Sequence, residues 1–356
     1  MTGLFNPVEK DRSKHFVCLL VLLMILGSLV WACQSGSVVA EPDPELLENV
    51  PPGLSVHDVA SLSSLDQIDD FPLYTMVYEG GLDDEDSAAW QRYKEEPAWA
   101  CSLFAAYGDS NEILYGRNVD WDFSPAMLLF MDPPGGYASV SMVDIYYLGF
   151  GGDQAFGIEE LPLEEQVGLL DGPYIPFDGM NETGLVVGMA AVPPGNMQED
   201  PAKETIDSLM VIRKILDGAA TIDEAVEIIQ SYNIEMGSTP IHYLISEKSG
   251  RSALLEFSKG ELVVLPNEYP WQMATNFLMS QISKSRDISC GRYREIEEKL
   301  SDLGGEISPD QAVDLLEDVA QSSTQWSVVY RVSAGEVWVV MGGKYNDIHK
   351  IESGFE

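Results

Sequence analysis

The sequence predicts an α+β protein in which two antiparallel β-sheets pack together and helices cover their outer faces. Most of the chain after residue 100 consists of short apolar runs separated by turn residues, a pattern typical of strands. Two pairs of segments with helical spacing interrupt these runs. Groups of strands that alternate with groups of helices favour packed sheets covered by helices, and 45% apolar residues in a chain of 356 suffice for a sizeable core.

The N-terminus predicts export from the cytoplasm. Residues 1–15 are basic, residues 16–32 are almost wholly apolar, and Cys33 follows a small residue. This order is typical of a secretory signal, and the position of Cys33 also fits a lipoprotein signal in which that cysteine is lipidated. An uncleaved anchor is the alternative, because 17 residues lie at the lower edge of a bilayer span. We therefore expect residues 1–33 to be a signal, lipoprotein or anchor segment and the protein to be extracytoplasmic, either membrane-tethered or secreted.

The residues between this segment and position 101 divide into two parts. Residues 34–72 are rich in Pro, Ser, Asp and Glu, which predicts a linker with at most one short helix. Residues 73–100 begin with a predicted strand at 73–78 and form a segment ahead of Cys101. Residues 101–356 then form the main domain.

A predicted β-hairpin at residues 101–120 concentrates the reactive side chains. One strand begins at Cys101, polar residues at 108–111 form the turn, and the second strand carries Arg117 and Asp120 back towards the start of the first. A fixed cation beside a thiol stabilises the thiolate, so this neighbourhood favours a nucleophilic sulfur. Arg117 and Asp120 are three residues apart, so on a regular strand they leave opposite faces, and an exposed ion pair is the alternative interpretation.

The remaining elements follow in order. A capping box at 221–224 marks the start of a helix, and Ser308 followed by Pro309 marks the start of another. The other predicted helices are 205–216 and a segment after Cys290, and the predicted strands are 126–131, 137–143, 186–192, 241–245, 252–257, 261–265, 272–276, 325–332 and 336–341.

The segments CSLFA at 101–105 and GRNVDWD at 116–122 resemble the start of the mature chain in a family of N-terminal-nucleophile hydrolases that cleave linear amides. These are the choloylglycine (bile salt) hydrolases, the penicillin V acylases and their acyltransferase relatives. The resemblance spans residues 73–345. It implies a four-layer α/β/β/α fold, autocatalytic cleavage of the Ala100-Cys101 bond, and no cofactor. The new α-amino group, whose pKa is ~8 in model compounds, then acts as the base for the thiol of Cys101.

The resemblance also assigns roles to four further residues. Arg117 lies against the sulfur, and Asp120 bonds the α-amino group. Asn276, within a TN motif, donates to the oxyanion through its backbone N–H. Arg292, which precedes an aromatic residue, holds the cluster together. Taken from local sequence alone, Asn276 is also compatible with a turn residue and Arg292 with an ordinary ion pair.

Two positions differ from the bile salt hydrolase pattern or fit it only loosely. Those enzymes carry an asparagine in the strand where this chain has Ala191. This departure favours a broader acylase or acyltransferase relative over a bile salt hydrolase. Asn181, in the DGMNETGL segment, matches a different family asparagine and is expected to be structural or to form part of the site wall.

Charge and composition exclude several other classes. Lys and Arg number 20 against 58 Asp and Glu, and the net charge of −38 disfavours nucleic acid as a partner. The chain has neither an HExxH motif nor paired CxxC motifs, so no metal site is predicted. His242 is the only histidine in the predicted core, where a structural role is expected, although a papain-type pair with Cys101 is an alternative.

The sequence therefore predicts an amidohydrolase that acts on a small-molecule N-acyl amide through an exposed N-terminal cysteine. Acyl transfer by the same site and a catalytically inactive extracytoplasmic binding module are the alternatives. A homo-oligomer is compatible with the sequence, and the N-terminal segment predicts association with a membrane.

Overall fold

The computed structural model describes residues 50–82, 88–93, 100–195, 198–282 and 288–355. The predicted signal or anchor segment, including Cys33, lies outside these ranges. Within them, no helix combines the length and the apolar character that crossing a bilayer requires.

The described helices lie at both ends of the chain and between groups of strands. They are α1 Val56–Ser63, α2 Ala88–Tyr93, α3 Leu163–Gln166, α4 Met210–Gly218, α5 Ile222–Ser231, α6 Gly291–Asp302 and α7 Pro309–Asp318, with 3₁₀ turns at Gly152–Ala155, Ile158–Glu160, Val167–Tyr174 and Met279–Gln281.

The strands occupy most of the remaining chain. They are β1 Asp66–Asp69, β2 Leu73–Tyr78, β3 Ala100–Ala106, β4 Leu114–Asp120, β5 Ala126–Met131, β6 Ser139–Asp144, β7 Pro176–Asn181, β8 Val186–Ala191, β9 Thr205–Asp207, β10 Asn233–Glu235, β11 Ile241–Ser246, β12 Ser252–Ser258, β13 Glu261–Pro266, β14 Trp271–Ala274, β15 Thr324–Arg331, β16 Glu336–Met341 and β17 His349–Glu352.

Two large sheets form the centre of the fold. One has nine strands in the order β1-β2-β5-β6-β7-β8-β11-β12-β13, and the other has six in the order β14-β3-β4-β15-β16-β17. Their pairs are antiparallel except for β2 and β5, which are parallel. The prediction of antiparallel sheets is therefore wrong at this pair. The chain passes through β3 and β4 of the other sheet between β2 and β5, which supplies the long crossover that a parallel pair needs.

Side chains that alternate along β3 show how the layers stack. Cys101, Leu103 and Ala105 lie in the core between the two sheets, whereas Phe104 and Ala106 lie in a second core under α6 and α7. Helices α4 and α5 pack on the nine-stranded sheet. The order helix, sheet, sheet, helix confirms the predicted four-layer α+β fold.

The start of α4 differs from the predicted helix at 205–216. Residues Thr205–Asp207 instead form β9, which pairs in parallel with β10. The carboxylate of Asp207 accepts hydrogen bonds from the N–H groups of Leu209 (2.9 Å) and Met210 (2.7 Å). Because an aspartate in this position satisfies the first N–H groups of a helix, the helix begins after Asp207.

The segment ahead of Cys101 is part of the folded structure. The stretch predicted to be a linker contains α1, as the expected short helix, and also β1, which pairs with β2. Strand β2 lies between β1 and β5, and the side chains of Leu73, Tyr74 and Met76 are fully buried. Cleavage before Cys101 would therefore cut the chain inside β3, after its first residue, and would leave the buried strand β2 on the N-terminal piece.

We predict that the N-terminal piece stays bound after cleavage at Ala100-Cys101. Its release would expose the three buried side chains of β2, each of which contributes about 1.5–3 kcal/mol of apolar burial. Native mass spectrometry of the purified protein should show both pieces in one complex, and denaturing conditions should separate them. A folded protein that contains only residues 101–356 would contradict this prediction.

Candidate active site

The register of the β3–β4 hairpin sets the geometry around Cys101. Cys101 pairs with Val119, Leu103 pairs with Arg117, and Ala100 pairs with Asp120. Alternate residues on a strand share a face, so Cys101 and Arg117 both point into the core between the sheets. Nη2 of Arg117 lies 3.6 Å from Sγ of Cys101.

Arg117 is fixed by a buried ion pair that joins the two sheets. Its guanidinium is fully buried, pairs with Asp178 on β7, and donates to the carbonyl oxygen of Phe177 at 2.7 Å. The hydroxyl of Tyr330 donates to the other oxygen of Asp178. Burial lowers the pKa of Arg117, but the Asp178 carboxylate and Cys101 more than offset this effect and raise it above its usual value. The sulfur therefore faces a permanent positive charge.

The thiol of Cys101 is nevertheless less acidic than the sequence suggests. Its side chain is 0% exposed, and burial raises the pKa of the thiol despite the opposing effects of Arg117 and Arg292. In the uncut chain, loss of hydration therefore opposes the effect of the neighbouring cation on the thiolate, and the role of this sulfur as the nucleophile stays a prediction.

Helix α2, from the segment ahead of Cys101, helps to exclude solvent from this core. Trp90 and Tyr93 are buried in the same cluster as Cys101. The ring of Tyr93 lies 5.4 Å from the ring of Tyr147 and 5.8 Å from that of Phe177, between centroids. Burial raises the pKa of Tyr93, and the charge of Cys101 contributes to the shift, which shows that the two groups are close. A substrate would have to pass Trp90 and Tyr93 of α2 to reach the sulfur of Cys101 from this side.

A second guanidinium binds the opposite face of β3. Arg292, in the first turn of α6, donates to the carbonyl oxygen of Cys101, to Ser102 Oγ at 2.8 Å and to Asn276 Oδ1 at 2.8 Å. It also lies 3.5 Å from Asp120 Oδ2. Arg292 thus links three strand ends around the backbone of Cys101.

The nitrogen of Cys101 is held by Asn276, which follows the end of β14. Asn276 Oδ1 accepts a hydrogen bond from the backbone N–H of Cys101 at 2.9 Å, and its Nδ2 donates to the carbonyl oxygen of Ala191 at 2.8 Å. The side chain therefore orients the atom that cleavage would convert into the α-amino group. Ala191, where the family has an asparagine, contributes through its backbone.

In the uncut chain Asp120 has other partners than the nitrogen of Cys101, and its contact with the α-amino group stays a prediction. Because Asp120 lies opposite Ala100 and points to the face away from Arg117, its carboxylate instead accepts from Thr324 at 2.5 Å and lies near Arg292. Burial raises the pKa of Asp120, and Thr324 and Arg292 oppose the shift. In the described structure the partner of the Cys101 nitrogen is Asn276.

Asn181 lies outside this cluster. Its amide donates to the carbonyl oxygens of Leu216 (2.9 Å) and Ala219 (2.8 Å), and its oxygen accepts from the backbone of Thr183 and Leu185. These contacts hold the β7–β8 turn against the end of α4, so Asn181 has a structural position in the described chain.

His242 also lies apart from the sulfur. Its Nδ1 is 3.4 Å from Glu256 Oε1, and both side chains are buried. Among the hydrogen bonds of the described residues, none joins His242 to Cys101. A papain-type pair therefore has no geometric support. Sequence reasoning missed Asp178 and Glu256. Asp178 is the first residue of the DGMNETGL segment, which had been used only to assign Asn181, whereas Glu256 lies in a strand without a recognisable local motif.

A cavity of about 360 Å³ lies beside Asn276 and Arg292 and is of a size that accepts a small ligand, but Cys101 is not among its lining residues. Its walls combine two residues of the cluster, Asn276 and Arg292, with apolar and small polar side chains, namely Phe277, Ile282, Ile288, Ser289 and Cys290. A larger cavity of about 450 Å³ between the β13–β14 hairpin and α6 does not include Cys101, Asn276 or Arg292.

A group with metal-ligating atoms lies elsewhere, where β1 meets the C-terminal strand. The ligating atoms of Asp69, Asp347 and His349 lie within 4.8 Å of one another. The Asp69 carboxylate already binds His349 Nε2 at 2.6 Å and lies 3.4 Å from Lys344 Nζ. An ammonium group at that distance repels a metal ion, so these contacts form an ion-pair network.

Comparison with known proteins gives a consistent result. A model of the linear amide C-N hydrolases, choloylglycine hydrolase family, matches residues 101–277. Structures of two variants of the conjugated bile acid hydrolase from Clostridium perfringens match with a TM-score of 0.51, at 17% and 14% identity, covering 72% of this chain and 93% of that chain. Penicillin V acylase from Agrobacterium tumefaciens matches with a TM-score of 0.46 at 17% identity, covering 68% and 83%. No curated protein matches. The similarity to the two Clostridium structures shows a shared fold.

We predict that the Arg117–Asp178 pair is essential for stability. In a Cys101→Ala background, which keeps the chain uncut, Asp178→Asn should lower the free energy of unfolding by about 3–5 kcal/mol, because it leaves a buried guanidinium without its counter-charge. As a control, Asp223→Asn removes the 76% exposed partner of Arg251 and should lower it by about 0–1 kcal/mol. Urea unfolding measures both. Small and equal decreases in the free energy of unfolding for Asp178→Asn and Asp223→Asn would contradict the prediction.

Proposed function

We propose, from the premise that residues 101–277 belong to the choloylglycine hydrolase family of linear amide C-N hydrolases, that this chain hydrolyses N-acyl amides with Cys101 as the nucleophile. One observation carries the proposal: two side chains hold Cys101 at both of its reactive atoms. Arg117 lies against the sulfur, and Asn276 accepts from the nitrogen. A side chain that supplies the nucleophile and a main-chain nitrogen that supplies the base both need a fixed position.

The first step is the cleavage that frees the base. The sulfur of Cys101 adds to the carbonyl carbon of Ala100, and the C–N bond breaks. The thiol proton moves to the nitrogen, and Ala100 is left as a thioester on the sulfur. Water then hydrolyses the thioester, which leaves a carboxylate on Ala100 and a free thiol and amine on Cys101. An α-amino group with a pKa near ~8 is partly neutral at physiological pH and can accept the thiol proton.

The amide reaction repeats this chemistry on a substrate. The thiolate attacks the carbonyl carbon, the α-ammonium group donates its proton to the departing amine, and water resolves the thioester to release the carboxylic acid. The backbone N–H of Asn276 is assigned to the oxyanion, where one donor typically contributes about a hundredfold in rate. Arg117 stabilises the thiolate, and Arg292 holds Cys101, Ser102 and Asn276 together.

The adjoining cavity supports a small substrate with an apolar portion. Phe277, Ile282 and Ile288 give it apolar walls beside Asn276 and Arg292. We place the enzyme outside the cytoplasm, tethered to the membrane or secreted, on the strength of the basic and apolar pattern at residues 1–33. Acyl transfer is the second candidate. Ala191, which favours a broader acylase or acyltransferase relative over a bile salt hydrolase, is compatible with it, and it would appear as an amide product when a competing amine is added.

We predict that Cys101→Ala abolishes both cleavage and turnover. The wild-type chain should yield a fragment that begins at Cys101, whereas the variant should stay whole and show no hydrolysis across a panel of N-acyl amides. Intact-mass measurement and release of free amine are the readouts. Cys290→Ala is the control for cleavage, because Cys290 is a half-buried thiol whose sulfur accepts from Thr275 Oγ1 at 3.5 Å and lies beside the cavity, away from the Ala100-Cys101 bond. It should still be cut before Cys101.

Two outcomes would count against the proposal. Cleavage before residue 101 or amide hydrolysis by Cys101→Ala would mean that the thiol of Cys101 is not the nucleophile. Folded wild-type protein that is cut but hydrolyses no amide in the panel would favour the catalytically inactive binding module.

A further inference from the structure

We infer that Glu256 and His242 form a buried pair that positions the loop carrying Asn276, and thereby sets the rate of the proposed amidase reaction. This inference rests on the proposed function. Neither residue touches the reacting atoms, so both are positioning residues and not catalytic ones.

Glu256 binds the backbone of this loop directly. Its side chain, on β12, is fully buried. Oε1 accepts a hydrogen bond from the N–H of Met279 at 2.6 Å, and Oε2 accepts one from the N–H of Ser280 at 2.8 Å. Bonds from neutral N–H groups to a carboxylate are short and about twice as strong as neutral pairs, so the loop is fixed at two adjacent residues.

His242 supports the carboxylate from the neighbouring strand. Its Nδ1 lies 3.4 Å from Glu256 Oε1, and its side chain is 1% exposed. Burial raises the pKa of Glu256, but the hydrogen bonds from His242 and Ser280 outweigh this effect and bring the pKa below its usual value. Glu256 is therefore ionised, and as a carboxylate it accepts at both oxygens.

The loop is short enough to transmit this constraint to the site. Asn276 lies three residues before Met279, and β14 fixes the other end of the loop by pairing with β3. Asn276 binds the nitrogen of Cys101, the carbonyl oxygen of Ala191 and Arg292. Two residues of the same loop, Phe277 and Ile282, line the cavity. A shift of about 1 Å in such a group is enough to lower a rate about a hundredfold.

The chain provides a matched glutamate for comparison. Glu247 follows β11 and is 5% exposed, and its Oε2 accepts a hydrogen bond from the N–H of Ile222 at 2.8 Å. It thus resembles Glu256 in burial and in its backbone contact, but it holds the start of α5 and not the loop at 275–282.

The test compares Glu256→Gln with Glu247→Gln in the cut, mature protein. A glutamine cannot accept at both positions, so Glu256→Gln should lower kcat about 10- to 100-fold with a smaller change in KM. Glu247→Gln should retain kcat even where its unfolding midpoint falls. Glu256→Asp, which keeps both acceptors, should recover part of the lost rate.

Amide hydrogen exchange at residues 275–282 gives a readout that needs no turnover. Exchange should be faster in Glu256→Gln than in wild-type protein or in Glu247→Gln. If the wild type hydrolyses nothing while this difference is seen, the proposed function fails and the loop constraint stands. Unchanged exchange and equal kcat in the two glutamate variants would overturn the inference. Should Glu256→Gln fail to fold, His242→Gln is the milder variant, with the same direction of change expected in both readouts.

Discussion

The ion pair between Arg117 and Asp178 is the interaction on which the rest of the site depends. It joins β4 of the six-stranded sheet to β7 of the nine-stranded sheet, in the interior where both side chains are fully buried. Arg117 can face the sulfur of Cys101 as a permanent cation only because Asp178 balances its charge. The same pair therefore holds the sheets in register and sets the electrostatic environment of the nucleophile.

The alternation of β3 then divides the site between two faces. Cys101 directs its side chain to Arg117 between the sheets, while its carbonyl oxygen and Ser102 are held by Arg292 from the helix layer. The side chain of Asn276 accepts a hydrogen bond from the backbone nitrogen of Cys101. Burial raises the pKa of the Cys101 thiol in the uncut chain, despite the opposing effect of Arg117. In the proposed mechanism, cleavage both supplies the base and opens the backbone beside the sulfur.

Local sequence patterns predicted much of the fold and only part of the site. Neighbouring residues alone determine three elements that the sequence predicts correctly. These are the hairpin at 101–120, the buried run that became β8 and the capping box at 221–224. The acidic segment that became β1 and the role of Glu256 depend on contacts distant in sequence, so no local signal marks them. Asp178 begins the DGMNETGL segment, but its pairing with Arg117 depends on the packing of the two sheets. The raised pKa of Cys101 was missed for the same reason, since burial is set by α2 and both sheets and not by the hairpin alone. The resemblance to a family supplied Asn276 and Arg292, which composition and spacing would have left as ordinary polar residues.

The most direct test of this account is the pH dependence of alkylation at Cys101 in the cut protein, followed by peptide mass mapping. Once the chain is open, Arg117 and the free amine should give the thiol an ionisation midpoint below the ordinary thiol value of about 8.5. A midpoint at or above that value would show that burial still governs the sulfur. The claim that cleavage turns a neutral thiol into the nucleophile would then be contradicted.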